Sequence, residues 1–417
     1  MFKFIHTADV HLDSPLKTLA MRDPDLAQLV GGATRRAFER IIDICIEESA
    51  DALIIAGDLY DGDLRSMKTA AFLGRQMRRL DEAGIRVFMI RGNHDSESTI
   101  TRYLDLPSNV HVFTGHGGVE EIPDAGVAIH GVSFARRHAP DSLLPKYRPP
   151  VDGLINIGLM HTSLAGASGH DEYAPCALNE LSSHGFDYWA LGHVHARQVH
   201  SEDPYVVMPG IPQGRDIGEA GPKTVTAVEI SGGELSVSER NVSIAEFERV
   251  NLDLTGTDGW QGMLETLRAT LENARNSALS EYVICRLELS GNSNLGWRLH
   301  RDVDLLLAEA KDAADQVGGI WIEKIENKVA SPVASAEDAD PVDELALLMK
   351  EVAKDSAFRS EAISHLEQVV RALPAELRDR FGSDQDGTKS VLDRLLEAGA
   401  TDVVASLKSG QSQKEAS

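Results

Sequence analysis

Short apolar runs alternate with helical patterns in the first part of the chain. Five runs rich in Ile, Val, Leu and aromatic residues have the length and composition of buried strands. They are Phe2 to Thr7, Ala52 to Ala56, Ile85 to Ile90, Ile155 to Met160 and Tyr188 to Leu191. Helical periodicity marks Thr34 to Glu48 and Met67 to Glu82, between the first three runs. This β-α-β-α-β order predicts mostly parallel, buried strands.

Residues with metal-binding side chains follow each of these five runs directly. They are Asp9-Val-His11, Gly57-Asp58-Leu-Tyr-Asp61, Gly92-Asn93-His94-Asp95, His161 and Gly192-His193-Val-His195. Each motif alone is weak, because Asp often caps or turns the chain, Gly-Asn forms tight turns and a single histidine often lies in a core. In open α/β sheets, however, ligands bind beside the carboxyl ends of the strands. We therefore expect these loops to converge on one site.

The donor atoms in these motifs suit a dinuclear metal centre that hydrolyses phosphate esters. Two cations roughly 3.5 to 4 Å apart need about seven or eight N and O donors, including a carboxylate able to bridge. The chain offers Asp9, His11, Asp58, Asn93, His161, His193 and His195. Mixed imidazole, carboxylate and amide donors without thiolate favour Mn, with Fe or Zn as alternatives, over Mg. His94 cannot easily share the direction of Asn93, so we expect it to act as a general acid or to stabilise the transition state.

The ordered motifs resemble those of the calcineurin-like metallophosphoesterase superfamily, which are D-x-H, GD-x-x-D, GNH-D/E, H and GH-x-H. Further stretches are similar to the SbcD/YhaO branch of DNA repair exonucleases, bacterial relatives of the Mre-type nucleases. These stretches are Phe4 to Pro15, His161 to Gly166, Gly169 to Pro175 and Asp187 to His195. The resemblance is strong over about residues 1 to 240 and rests on architecture alone beyond them.

The resemblance implies an α/β fold with a β-sandwich core flanked by helices, a small α+β capping domain and a C-terminal helical segment. It assigns one metal to Asp9, His11 and His195. It assigns the other to Asn93, His161 and His193, with Asp58 as the bridge. His94 matches the family histidine that stabilises the transition state or protonates the leaving oxygen.

Two further residues are candidates for contact with substrate. Asp61 stands where some Mre-type relatives carry a histidine that helps to position the DNA backbone. Arg215 follows Pro209-Gly-Ile-Pro-Gln-Gly and could contact a substrate phosphate, although a solvated loop arginine is the alternative interpretation.

The activity that the resemblance implies is that of a two-metal-dependent DNA exonuclease with endonuclease capacity, acting in DNA repair or DNA-end processing. An enzyme for small phosphoesters, such as a phosphomonoesterase or cyclic-nucleotide phosphodiesterase, is the alternative.

The chain is predicted to divide into five parts, namely a nuclease domain at 1–245, a capping domain at 246–330, a linker at 331–341, a helical segment at 342–408 and a disordered tail at 409–417. The capping domain reads β-α-β-α-β, with helices expected at Trp260 to Asn276 and Leu295 to Ala313. The helical segment carries apolar stripes, including Leu345, Leu348 and Val352. In SbcD-like complexes the corresponding region binds an SMC-like ATPase of the SbcC/YhaN type, and a self-contained bundle is the alternative. A homodimer is also compatible with the resemblance.

Composition bears on the cellular compartment of the protein and on the strength with which it binds DNA. Three scattered cysteines and the absence of an 18-residue apolar stretch predict a cytoplasmic protein with neither a signal peptide nor a membrane span. The net charge is −24, yet residues 1–150 hold 18 basic and 21 acidic side chains, whereas residues 251–417 hold 18 and 30. Because DNA affinity rests mainly on Lys and Arg, we expect the isolated chain to bind DNA weakly, with metals and a partner strengthening the contact.

Overall fold

The computed structural model describes residues 1–14, 26, 31–60, 67–96, 106–164, 173–257, 259–330, 341–373 and 385–415. The chain forms two compact units. The first comprises Met1–Arg249, Ala274–Cys285 and Gly319–Glu323, and the second comprises Val250–Asn273, Arg286–Gly318 and Lys324–Ser417. Across the ranges just given, every helix is too short or too polar to cross a membrane.

Fifteen strands and nine α-helices are present in the part of the chain that the structure describes. The strands are β1 (Phe2–Thr7), β2 (Ala52–Ala56), β3 (Arg86–Ile90), β4 (Val110–Val112), β5 (Gly118–Ile122), β6 (Val127–Gly131), β7 (Ile155–His161), β8 (Tyr188–Gly192), β9 (Gln198–Glu202), β10 (Tyr205–Met208), β11 (Thr224–Ser231), β12 (Glu234–Asn241), β13 (Ala245–Asp253), β14 (Tyr282–Ser290) and β15 (Ile320–Asn327). The helices are α1 (Ala33–Glu47), α2 (Met67–Glu82), α3 (Leu178–Ser183), α4 (Gly259–Ser277), α5 (Gly296–Arg301), α6 (Val303–Val317), α7 (Pro341–Val352), α8 (Ser356–Ala372) and α9 (Gln385–Glu415).

Two six-stranded sheets form the centre of the first unit. One has the order β12-β11-β1-β2-β3-β4 and the other β5-β6-β7-β8-β10-β9. The strands β1, β2 and β3 are parallel to one another, as the β-α-β-α-β pattern predicts. In the second sheet β6, β7, β8 and β10 are also parallel neighbours. The carboxyl ends of the central strands therefore lie at one edge of each sheet.

The two sheets pack face to face through a continuous apolar core. Phe4, Ile54 and Phe88 of the first sheet meet Leu159 and Tyr188 of the second, and all five side chains are buried. On the outer face of the first sheet, the apolar sides of α1 and α2 cover a separate core. A third core lies on the outer face of the second sheet. The expected β-sandwich flanked by helices is thus confirmed.

The second unit carries helices with partly exposed apolar faces. A small cluster of Leu366, Val391 and Leu392 joins α8 to α9, and α9 also packs against α5 and α7. The three-stranded sheet has the order β13-β14-β15. Its residues 245–249, 282–285 and 320–323 belong to the first unit, and the remainder belong to the second.

Three expectations from the sequence need correction. The helix expected at Leu295 to Ala313 is two helices, α5 and α6, because Asp302 adopts a non-helical backbone (φ −102°, ψ 42°). Pro341, expected in the linker, begins α7, a position where proline is well tolerated because its missing N–H is not needed in the first turn. The final helix extends to Glu415, where a disordered tail is expected, since each added residue without proline continues the helical hydrogen bonding.

Candidate metal centre

The loops after β1 and β2 continue side by side beyond the ends of the strands. The backbone N–H groups of Asp9 and His11 donate to the carbonyl oxygens of Gly57 and Asp58 at 3.0 and 3.1 Å. Asp9, His11 and Asp58 all have positive φ angles, 52°, 45° and 52°. Such left-handed backbone is unfavourable for residues other than glycine and is concentrated at functional sites. These turns bring the three side chains to the same edge of the sheet.

Glycines allow His161, at the end of β7, to approach these loops closely. Gly57 has φ 94°, and a Cβ there would lie 2.5 Å from Nδ1 of His161. A Cβ on Gly192 would lie 3.0 Å from the same nitrogen and 2.9 Å from Cβ of Ala8. The two motif glycines are therefore required by the packing of a histidine, besides any effect on the turns themselves.

Asp9, His11 and His195 form the first cluster, in which one donor atom from each residue lies within 4.8 Å of the others. Nε2 of His11 and Nε2 of His195 are 3.2 Å apart. The carboxylate of Asp9 is buried and accepts the backbone N–H of His193 at 2.9 Å. Two imidazole nitrogens and a carboxylate that point at one another are suited to a shared divalent cation.

Asp58, His161 and His193 form the second cluster under the same 4.8 Å limit. Nε2 of His161 lies 3.3 Å from Oδ2 of Asp58 and 3.0 Å from Oδ1 of Asn93. Asn93 is buried, and its amide oxygen faces the cluster through this contact. The structure thus brings all seven predicted ligands into two groups, with Asn93 beside the second.

The two clusters are neighbours, joined by Asp58 and His94. The backbone N–H of His94 donates to Oδ1 of Asp58 at 2.9 Å. The ring of His94 lies edge-on to that of His11, with 5.0 Å between their centroids. His94 is half-buried. Its side chain therefore lies beside the first cluster while its backbone supports a carboxylate of the second.

Hydrogen bonds to Nδ1 orient one histidine in each cluster. Nδ1 of His161 lies 2.9 Å from the carbonyl oxygen of Ala56, and Nδ1 of His195 lies 2.7 Å from Oε1 of Glu219. Because both oxygens can only accept, each Nδ1 carries a hydrogen, which leaves Nε2 as the nitrogen available to a metal. Metal-bound histidines almost always show this arrangement. The residues therefore fit two divalent metal ions.

Electrostatics in the second cluster favour a bound cation. Burial raises the pKa of Asp58, but His161, His11 and His94 together outweigh burial and hold that pKa below its usual range. Burial lowers the pKa of His161, but the adjacent carboxylate of Asp58 outweighs it and raises the pKa to about 9. Without metal, Asp58 and His161 thus form a buried ion pair, and the proton on His161 occupies a position that suits a metal cation. Metal binding would release that proton.

Asp95 connects the second and third motif loops. Its buried carboxylate accepts the backbone N–H groups of Leu59, Tyr60 and Gly92 at 3.1, 2.9 and 3.3 Å. Burial and the nearby charge of Asp58 raise the pKa of Asp95 to about 6. The residue thus fixes the loop of Asp58 relative to the loop of Asn93.

The structure describes only one of the two candidate substrate-binding residues. Asp61 lies outside the described residues. Arg215 lies against Glu219, with Nη2 2.9 Å from Oε1, so its guanidinium is engaged within the protein.

Glu219 is a site residue that no sequence pattern indicates, because it follows His195 by 24 positions and belongs to no motif. Burial raises the pKa of Glu219, but the hydrogen bonds from His195 and Arg215 outweigh it and lower the pKa to about 2.

Two adjacent His/Asp clusters at the carboxyl edge of a β-sandwich define a metal-dependent hydrolase of the phosphoesterase type. The model of the calcineurin-like phosphoesterase family matches residues 2–197, and that of the middle domain of metallophosphoesterase YhaO matches residues 247–330. The uncharacterized metallophosphoesterase YhaO of Bacillus subtilis (strain 168) is 33% identical over 300 residues, which are 70% of this chain and 72% of that protein. This chain therefore belongs to the calcineurin-like metallophosphoesterases, and within them to the YhaO type.

More distant relatives bear a different name. The DNA double-strand break repair protein Mre11 of Haloferax volcanii is 27% identical over 269 residues, which are 64% of this chain and 58% of that protein. The protein of the same name from Sulfurisphaera tokodaii is 26% identical over 275 residues, 60% of this chain and 63% of that protein. The match thus spans less than two thirds of either of these two proteins.

Proposed function

We propose that the chain is a two-metal-dependent DNA phosphodiesterase, an exonuclease with endonuclease capacity, that acts in DNA repair or DNA-end processing. The observation that carries the proposal is the convergence of the two clusters, with donor atoms within 4.8 Å in each. Relatives named DNA double-strand break repair proteins support DNA as the substrate.

The proposed ligands divide between the two ions as the clusters do. Asp9, His11 and His195 would hold the first ion, and Asn93, His161 and His193 the second. Asp58 would bridge them, since its carboxylate belongs to the second cluster and its backbone carbonyl accepts the N–H of His11 in the first at 3.1 Å. We expect Mn, with Fe or Zn as alternatives, because the donors mix imidazole, carboxylate and amide.

Two divalent ions, when bound, would lower the pKa of a coordinated water and stabilise charge on the phosphoryl oxygens. The protein contributes the orientation of the donors. Ala56 and Glu219 fix the tautomers of His161 and His195, so that both present Nε2 inward. Buried Asp9 and Asp58 supply the negative charge that the cations require.

His94 is the proposed catalytic residue. Its half-buried ring stands 5.0 Å from that of His11, at the margin of the first cluster. From there an imidazolium could donate a proton to the leaving oxygen or stabilise charge in the transition state, roles in which histidine contributes about 10² to 10⁴-fold. Asp61 and Arg215 remain proposals for substrate contact, although the engagement of Arg215 with Glu219 favours a supporting role for it.

An SMC-like ATPase of the SbcC/YhaN type is the proposed partner, bound through the C-terminal helices. Leu347 and Leu348 on α7 are 61% and 55% exposed, and Val369 on α8 is 60% exposed. Exposed apolar side chains on successive helices suit a helical partner. We place the protein in the cytoplasm, where its three free, buried cysteines would stay reduced.

A small-substrate phosphoesterase is the competing function, and a comparison of substrates distinguishes the two. The full chain loaded with Mn is assayed on a long linear duplex and on bis(p-nitrophenyl) phosphate. We expect cleavage of both substrates, with the duplex degraded from its ends. Addition of the ATPase partner should further stimulate cleavage of the duplex. Turnover of the chromogenic ester, or of a phosphomonoester, without any loss of duplex would contradict the proposal.

A further inference from the structure

Glu219 lies on the side of His195 that faces away from the first cluster. It closes the short turn Ile217–Glu219, in which the N–H of Gly218 donates to the side chain of Asp216 at 2.7 Å. Oε1 of Glu219 accepts the hydrogen on Nδ1 of His195 at 2.7 Å, while Nε2 of the same ring lies 3.2 Å from Nε2 of His11. The imidazole thus connects a carboxylate to the proposed metal position.

Arg215 holds this carboxylate in place. Its backbone N–H donates to Oε2 of Glu219 at 2.7 Å, and its Nη2 donates to Oε1 at 2.9 Å. The side chain of Glu219 is 14% exposed and that of Arg215 is 25% exposed. Two donors from one residue fix both carboxylate oxygens, so the acceptor for His195 has little freedom to turn away. Nη2 of Arg215 also lies 3.0 Å from Nδ1 of His195, so Nδ1 faces an ion pair in which the carboxylate is the nearer group.

Among the residues that the structure describes, the acceptor behind the oriented histidine of the other cluster carries no charge. Nδ1 of His161 donates to the carbonyl oxygen of Ala56, which is a neutral acceptor. A carboxylate acceptor makes an imidazole more basic and a stronger ligand than a carbonyl acceptor does. The two histidines are therefore oriented alike, but the acceptor of His195 is an ion-paired carboxylate and that of His161 is a neutral carbonyl.

We propose that Glu219, fixed by Arg215, is a positioning residue that strengthens His195 as a ligand and makes the two metal sites unequal. The inference rests on the proposed metal centre and extends it. Removing the carboxylate should weaken the first site alone. The Ala56-backed site should keep its affinity.

Manganese binding to the full chain tests this directly. Metal-free wild type, Glu219→Gln and Glu219→Ala are titrated with Mn²⁺, and free Mn²⁺ is counted from its EPR signal. Glutamine keeps an acceptor for Nδ1–H without the charge, whereas alanine removes both. We expect wild type to bind two ions, and one of the two sites to weaken by about 10 to 100-fold in Glu219→Ala, with a smaller loss in Glu219→Gln. The loss should persist in a His161→Ala background, which disrupts the second cluster.

Glu48→Gln is a matched control, because Glu48 is also a partly buried carboxylate held by an arginine, Arg240, and its described contacts include no histidine. It should bind both ions like wild type. Two wild-type affinities in Glu219→Ala, or an equal weakening of both sites, would overturn the inference while leaving the metal centre intact. A wild-type chain that binds fewer than two ions would overturn the metal centre and the inference together.

Discussion

The backbone N–H of His94 donates to Oδ1 of Asp58 across 2.9 Å. The proposed catalytic residue is thus connected to the proposed bridging ligand through its main chain, and its imidazole is left to act separately beside His11. Removal of the imidazole should therefore affect chemistry more than metal binding.

His94→Ala is expected to keep both metals and to lower turnover by about 10² to 10⁴-fold, the range for lost general acid catalysis. The substitution retains the N–H that holds Asp58. Elemental analysis and steady-state kinetics on a phosphodiester would measure the two effects. His116→Ala, at an exposed histidine outside both clusters, is the control. Loss of metal from His94→Ala would contradict the separation of roles.

Asp58→Ala, unlike His94→Ala, should lose bound metal as well as turnover. It removes the bridging carboxylate and leaves the buried His161 without its ion-pair partner. We expect at most one tightly bound ion per chain and no measurable turnover. Metal content and activity close to those of wild type would refute the bridging assignment.

Asp95→Ala should destabilise the fold near the metal centre. The substitution leaves the N–H groups of Leu59, Tyr60 and Gly92 without their acceptor, and each unpaired buried group costs about 1 to 3 kcal/mol. A fall of about 3 kcal/mol or more in the free energy of unfolding is expected from urea denaturation. Asp51→Ala is the control, since Asp51 is an exposed carboxylate that accepts one N–H, from Lys3. Equal stability losses in the two variants would argue against this role.

His6 should make the metal-free protein sensitive to acid. Nε2 donates to the carbonyl of Leu191, Nδ1 accepts from Tyr188, and burial lowers the pKa of His6 from 6.5 to about 3. Between these pH values the unfolded chain binds a proton that the folded chain does not. Stability is therefore fully present above pH 6.5 and falls by about 1.4 kcal/mol per pH unit as the pH drops through this window.

Urea denaturation between pH 7 and pH 4, in the presence of a chelator, would measure this contribution. His6→Gln keeps one donor and one acceptor but cannot take up the proton, so its stability should fall less steeply than that of wild type. His116→Gln should follow wild type. Parallel curves for wild type and His6→Gln would show that His6 is not the group responsible.

Exposed leucines on α7 provide a test of the partner. Leu347→Ser with Leu348→Ser should leave stability unchanged, because both side chains are exposed, but should abolish co-purification with a co-expressed SMC-like ATPase. Leu279→Ser, at a residue 66% exposed in the first unit, is the control. Retention of the ATPase by the double variant would place its docking surface elsewhere.

The sequence predicted the strands that carry the site because each is a dense apolar run. Strands such as β5 and β9 were missed, since Glu120, Glu121 and Gln198 break the apolar pattern at the sheet edges. The approach of the motif loops to one another follows from strand polarity and was foreseen. The contact of Glu219 with His195 could not be predicted, because only the folded chain brings the two residues together. The metal assignments themselves stay predictions.

The most direct test of the central claim is a titration of the metal-free full chain with Mn²⁺, in which bound ions and the cleavage of a linear duplex are followed in the same samples. Both clusters must be filled for the proposed chemistry. We predict two bound ions per chain, with duplex cleavage rising as the second ion binds. One bound ion at full activity, or two bound ions with an intact duplex, would contradict the account.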